Sequence, residues 1–304
     1  MATFYYFDLK PLSGFRLPVR ASTLWGHLSW AIRELEGAAR LEQWIRSHEE
    51  ALMVGKEPPL RLSSAFPKGF LPRPFLRPLH VEETSTRKAL KSLRYIPIET
   101  LPDLFQEGEL ALQKLVASKA DSAVQALIRK PRTRVAVDRR TGSAAEGLLF
   151  EEALYWSKGI LRVYARLGDG ITLDHLEGLI EHVGRVGFGG GASVGNGVFV
   201  LESKGVEELP EGSGPYQMLL GPGLLPSKPE GWWKAERYWG RMGSVFSGAA
   251  VPFKRPYLRV IEGSVLKNHV PLLLDVTPPE PPEKNVRVLE NLAPLTLLWE
   301  VPDA

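Results

Sequence analysis

The hydrophobic and polar positions along this chain alternate between two periods. The opening TFYYFDLK, rich in aromatic β-formers, reads as a strand. After the loop SGFRLPVR comes STLWGHLSWAIREL, where Leu24, Leu28, Ala31, Ile32 and Leu35 fall on one helical face and Ser22 or Thr23 stands where a cap belongs. Residues 38–54 continue helically, and PLRLSSAFP reads as a second strand. The prolines of FLPRPFLRPL (Pro72, Pro74, Pro78) forbid a central strand or helix there, leaving an extended segment that presents Arg73 and Arg77. A short helix near 84–93, a strand at YIPIE and an apolar-periodic helix over about 100–118 follow.

The texture changes at KPRTRVAVDRRTGSAAEGLLF. Arg132 and Arg134 alternate with Thr133, Val135 and Val137, a strand pattern with one basic face, and RRTGSAAEG is a turn. With LLFEEALYWSKGILRVYARL returning as one long strand or two, this predicts a projecting basic hairpin. ITLDHLEGLIEHVGR then carries Leu173, Leu176, Leu179, Ile180 and Val183 at helical spacing, with Thr172 or Asp174 as cap. Beyond the strand GVFVLES, short strands and turns fill the C-terminal third. There Trp232, Trp233, Tyr238 and Trp239 read as core or interface, with a base-stacking platform as the alternative. TPPEPPEKN is a proline-rich linker and NLAPLTLLWEV a final strand. The alternation fits α+β architecture, two ferredoxin-like βαββαβ domains over 1–145 and 146–304 with strands open to exchange between them, better than a parallel sheet.

Between that helix and strand lies GFGGGASVGNGVF, with six glycines in thirteen residues. Such density calls for backbone freedom or close approach by a ligand. The run contains Gly-x-Gly-x-x-Ala (Gly187, Gly189, Ala192) and Gly-x-Ser-x-Gly (Gly191, Ser193, Gly195). A dinucleotide site or nucleophile elbow must follow a strand and open a helix, and here the order is reversed. A glycine saddle over a nucleic-acid backbone remains.

Composition narrows the field. The 304 residues are 44% hydrophobic and 24% charged, without a long apolar run or secretory leader pattern, so a cytoplasmic protein off the membrane is expected. Zero cysteines exclude disulfides and thiolate chemistry. The six histidines (His27, His48, His80, His175, His182, His269) show no ligand spacing beyond His175 and His182, seven apart on one helix, so neither a metal nor another cofactor is expected. The net charge of +3 is modest, but residues 61–94 hold eight basic side chains against two acidic, and residues 129–140 six against one. Localised basic segments suit a polyanion, although solvated surface with acidic neighbours is the commoner meaning of one such run.

The glycine loop before a strand, STLWGHLSWAI, FLPRPFLRP, RTRVAVDRRTGSAAEGLLF and VPFKRPYLRVIEGSVL, in this order, resemble the RAMP proteins of CRISPR effector complexes, above all the fourth-subunit family of the type III-A (Csm) complex. The resemblance runs from about residue 3 to residue 266. It implies a non-catalytic subunit in a heteromeric particle for antiviral defence, which binds the repeat-derived 5′ handle of the guide RNA (crRNA) and docks the large polymerase/cyclase subunit and the first backbone RAMP subunit. By similarity, Gly187, Gly189, Gly190, Gly191, Ser193, Gly195 and Gly197 correspond to the loop against the handle. Arg132, Arg134, Asp138, Arg139, Arg140, Thr141 and Gly142 correspond to the hairpin that passes between nucleotides. The chain departs from its relatives in having Gly191 and Ala192 where a basic or hydrophilic pair is common. Phosphate contact must then use backbone N–H groups and Ser193, with charge from other segments. The alternatives are the corresponding subunit of the type III-B (Cmr) complex, and a metal-independent repeat-RNA endonuclease with His27 as general base.

Overall fold

Strand β1 (Ala2–Pro11) is the axis of the molecule. Its odd positions Tyr5, Phe7 and Leu9 pack toward helix α1 (Ala21–Glu36), while Phe4, Tyr6 and Asp8 face the other way, as a pleat requires. The computed structural model describes residues 1–80, 83–118, 127–243, 246, 252–281, 283 and 286–300; parts of the proline-rich linker, and the end of the segment read as the last strand, lie outside them. After helix α2 (Ala38–Met53), the expected strand over 59–67 divides into β2 (Leu60–Leu62) and β3 (Phe66–Pro67). The serines between them break it: the Ser63 N–H donates to the Tyr164 carbonyl at 2.8 Å, and the Ser64 N–H turns to Leu220 at 2.7 Å.

Strand β4 (Phe70–Pro72) and β5 (Tyr95–Pro97) pair around helix α3 (Thr84–Ser92). The helix expected over 100–118 is two, α4 (Leu101–Glu107) and α5 (Glu109–Ala117), because Gly108 takes φ 59° and ends the first. The hairpin β6 (Ile128–Val137) and β7 (Ala144–Trp156) comes next, then β8 (Leu161–Leu167), helix α6 (Leu173–Val186) and β9 (Phe199–Leu209).

The main sheet has the order β9–β1–β8–β2, with β3 also on β8, and every neighbour antiparallel. Helices α1 and α6 cover one face, burying Leu24, Leu28, Ile32, Leu176, Leu179, Ile180 and Val183 against Phe7, Leu9 and Val163. Leu35 is the exception in the expected stripe: at the last turn it is 56% exposed. Neither Ser22 nor Thr23 caps α1. The boundary residue is Arg20, and the Ala21 N–H donates to the Ser64 hydroxyl at 3.0 Å, so a neighbouring segment supplies the acceptor. Thr172 does cap α6, accepting from the His175 N–H at 3.2 Å.

The remaining strands are β10 (Tyr216–Leu219), β11 (Gly223–Leu224), β12 (Gly231–Trp232), β13 (Ala235–Tyr238), β14 (Tyr257–Val260), β15 (Val265–Leu266), β16 (Leu273–Asp275), β17 (Leu289–Asn291) and β18 (Thr296–Trp299). They form a β12–β15–β10–β18 sheet, a β11–β14–β13 sheet and a β16–β17 pair. No α-helix follows β9 among the described residues. Leu90, Leu93, Leu104 and Leu112 of the 84–117 region share a core with Met218, Val265, Leu297 and Trp299 instead. Among the described residues, no second βαββαβ run is seen in the C-terminal part. A boundary at residue 145 would cut β7 near its start, and β1 pairs with β8 and β9 across it.

On the second face of the main sheet Phe4, Phe66 and Tyr164 join the second core, and a charge network lies beside them. Asp8 accepts from Arg162 at 2.7 and 2.8 Å and from Ser203 at 2.8 Å, with Lys68 at 3.0 Å. Burial alone would raise the Asp8 carboxyl, but these donors outweigh it and hold it below the usual range. Arg162 also donates to Glu207 and lies 3.7 Å over the Tyr6 ring, while Tyr164 is fully buried. Tyr164 is therefore closed to a stacking base, and one face of the partly exposed Tyr6 ring is taken by Arg162. No described helix is long and apolar enough to cross a membrane.

Candidate nucleic-acid interface

The glycine run leaves α6 and returns to β9 as a looped-out crown on a buried base. At the base, the Phe188 N–H donates to the Gly197 carbonyl at 2.8 Å, and Phe188, Asn196 and Gly197 are buried. A Cβ on Gly197 would run into the Phe188 carbonyl, and one on Gly187 would stand 2.7 Å from the Asn196 carbonyl oxygen. Both glycines, at φ 75° and 102°, are the hinges of the loop and are buried away from solvent. At the crown, Gly190, Ser193, Val194 and Gly195 are exposed, with Gly189 and Gly191 partly so. The Val194 and Asn196 amides donate back to the Gly191 carbonyl, each at 3.1 Å. Among the described residues, the amides of Gly190, Gly191, Ala192 and Ser193 have no protein acceptor. Unclaimed backbone N–H groups are the kind of donor that can hold an anion.

Two neighbours fix this crown. From α1, the His27 Nε2 accepts the Gly189 N–H at 2.9 Å, and its ring lies 4.9 Å from that of Phe188. Burial first, and the charge of Lys254 second, push the His27 pKa down to about 4. His27 is thus a neutral acceptor at pH 7. From the other side comes SGFR, the segment that reads in sequence as a plain loop. Ser13 accepts the Val198 N–H at 2.9 Å, and the Gly14 carbonyl accepts the Gly197 N–H at 2.9 Å. Phe15 and Tyr155 exchange both backbone bonds, at 2.8 and 2.7 Å, and the Phe15 ring meets Phe188 edge-on at 6.2 Å. Arg16 pairs with Glu152 of β7 and lies across Gly190 and Gly191.

Segment 13–16 thereby stitches the glycine loop to the root of the hairpin. Register places Arg132 opposite Glu152 and Arg134 opposite Phe150, so both arginines share one face, as their alternation predicts. Arg134 is half-buried, 3.0 Å from the Glu152 carboxylate that also holds Arg16, whereas Arg132 is exposed. Val135 and Leu149 pair on the opposite face and stand in solvent, Leu149 at 70%. At the tip, the Asp138 carboxylate accepts the Arg140 N–H at 2.8 Å and Gly142 sits at φ 68°, so Asp138 and Gly142 shape a turn that exposes Arg139, Arg140 and Thr141.

Other candidates are used elsewhere. Arg73 donates to the Leu90 carbonyl and pairs with Glu109 at 3.3 Å, bracing α3 and α5. Arg61 pairs with Glu57 at 2.9 Å and Lys68 with Asp8, so the basic run 61–94 is partly neutralised within the fold. Arg77 is exposed, yet nothing among the described residues ties it to the crown. Of the four C-terminal aromatics, Trp232 packs on Tyr216 and Tyr238 lies beneath Arg259, while Trp233 and Trp239 are partly in solvent. The platform is therefore divided. His175 and His182 face Glu36 and Glu34 of α1, at 2.7 and 3.0 Å. Among the described residues, no cluster of His, Asp and Glu is placed to hold a metal ion.

The family model of the RAMP superfamily matches residues 11–200, which span α1, the hairpin and the glycine loop. Among curated proteins none matches by sequence. A chain in the crystal structure of the Csm1–Csm4 cassette in complex with cA4 superposes with TM-score 0.60 at 16% identity, over 100% of both chains. One in the Csm3–Csm4 subcomplex of the type III-A CRISPR-Cas interference complex gives 0.59 at 18%, over 98% of this chain and 99% of that one. One in the type III-B Cmr-β complex bound to cognate target RNA and AMPPnP gives 0.51 at 14%, over 86% and 85%.

Proposed function

Because the chain belongs to the RAMP superfamily, we propose that it is a non-catalytic, RNA-binding subunit of a type III CRISPR effector complex, in the position that Csm4 holds in type III-A. In this role it holds the 5′ repeat-derived handle of the guide RNA and docks the large polymerase/cyclase subunit and the first backbone RAMP subunit. The order β9–β1–β8–β2, threaded as β1-α1-β2-β8-α6-β9, supports one ferredoxin-like unit of the kind shared with RNA-recognition motifs. Its sheet face is filled by Tyr6, Tyr164 and the Asp8–Arg162 network, which leaves loops as the RNA-holding part.

The observation that carries this reading is the junction made by residues 13–16. It places the exposed crown of the glycine loop and the root of the basic hairpin side by side. Single-stranded RNA is held by contacts to its backbone and to splayed bases, and a crown without side chains lets the backbone approach amide donors closely. The hairpin adds Arg132, Arg139 and Arg140, all exposed.

The endonuclease alternative needs His27 free to take a proton, yet its Nε2 already accepts the Gly189 N–H. Incubating the purified chain with repeat RNA separates the two readings. Binding without products is expected; specific cleavage that disappears in His27→Ala would overturn the assignment. Co-purification with type III-A partners is expected, since the Csm-type chains cover nearly all of this one and the Cmr-β chain less.

A further inference from the structure

The crown lacks a cation of its own, and Arg16, which belongs to neither sequence motif, fills that place. Its Nε faces Glu152, whose side chain is only 12% exposed, while Arg16 itself is 41% exposed. A Cβ added to Gly191 would stand 2.8 Å from the Arg16 Nε, and one added to Gly190 would stand 3.5 Å from its Cδ and 3.8 Å from Nη1. The guanidinium therefore lies over the stretch whose amides, from Gly190 to Ser193, have no acceptor among the described residues. A guanidinium has five donors, and a carboxylate held at Nε leaves the terminal pair to a second anion. Glu152 in turn lies 3.0 Å from Arg134, so one carboxylate fixes the Arg16 guanidinium and the hairpin root together.

We infer that Arg16 and the Gly190–Ser193 amides form a single phosphate site for the RNA backbone, with Glu152 as the positioning residue that aims the guanidinium. This rests on the RNA-binding reading above, and it supplies the charge that Gly191 and Ala192 cannot. The close fit bears on Gly191, at φ 86°, where an added Cβ would stand 2.8 Å from both the Arg16 Nε and the Asn196 Nδ2; at Gly190 it would make only ordinary contact.

The test is fluorescence anisotropy of the full chain with a 3′-labelled single-stranded RNA dodecamer of repeat sequence, across a salt series. Arg16→Ala is expected to weaken binding about tenfold and to lower the slope of log K against log salt by about 0.7, one phosphate contact on a single strand. Glu152→Gln keeps the Arg16 charge but loosens its aim, so about threefold weaker binding with an unchanged slope is expected. Arg185→Ala, on the exposed side of α6, is the control and is expected to bind as wild type does. Should Arg16→Ala lose its fold by thermal denaturation, Arg16→Lys takes its place, with weaker binding at an unchanged slope expected. Wild-type binding with Arg16→Ala matching it in affinity and slope would overturn the phosphate site alone. Absence of salt-dependent binding by the wild type would overturn the RNA-binding reading as well.

Discussion

A glycine matters here through what surrounds it, and two neighbours in one loop make the contrast testable. Gly195 takes φ 78° with open space around it, whereas Gly197 takes φ 75° and faces the Phe188 carbonyl. Gly195→Ala is expected to cost about 1 kcal/mol, the strain of a left-handed alanine, and Gly197→Ala at least about 3 kcal/mol, since strain and overlap add. Urea unfolding of the two variants measures both. Histidine provides a second prediction at this scale. His48 is fully buried, accepting from Trp25 at 3.1 Å, and burial pushes its pKa down to about 4, as it does for His269. Between pH 6.5 and 4 the unfolded chain binds protons that these folded histidines refuse, so their contribution makes stability fall as pH drops through that window and itself levels below it. In His48→Gln the fall across that window is expected to be smaller. Glycine density was legible in the sequence because nothing but backbone need explains it. Arg16 was not: a lone arginine between a glycine-phenylalanine pair and a leucine has no periodicity, and only the Phe15–Tyr155 bridge brings it to Glu152.

The hairpin is the element whose character followed most directly from sequence, because alternation of charge and β-branched residues has one geometric meaning. Its tip stands clear of the two large cores, with Arg139 and Arg140 exposed at a turn built by Asp138 and Gly142. Trypsin is therefore expected to cut first at these arginines, and bound single-stranded RNA to slow that cut, which a timed digest with mass spectrometry resolves. Arg132→Glu, exposed and without an ion pair to Glu152, is expected to weaken RNA binding and leave thermal stability within about 0.5 kcal/mol. Other elements were less legible. The periodicity across 100–118 cannot show that Gly108 adopts a positive φ, and β2 and β3 part because serine hydroxyls and amides find partners on β8 and near Leu220. Both breaks come from long-range or backbone-specific events that local pattern does not encode.

At the scale of the whole molecule the chain is interleaved. Strand β1 is complete only between β8 and β9, more than 140 residues later, and α3–α5 find their core among strands beyond residue 215. Fragments 1–145 and 146–304 are accordingly expected to stay unfolded when expressed separately, by circular dichroism and urea titration. Sequence patterns revealed the mixed architecture but not which sheet each helix covers, because that depends on contacts far along the chain. The same interleaving explains why the glycine loop and the basic hairpin, some fifty residues apart, meet at all: the N-terminal turn after β1 passes between them. In the proposed role this junction grips the guide RNA. Ultraviolet crosslinking of the assembled particle, followed by mass spectrometry of RNA-bearing peptides, tests it most directly. Handle nucleotides are expected on peptides spanning 187–197 and 129–142; crosslinks confined to other peptides of this chain, with both of these clean, would contradict that role.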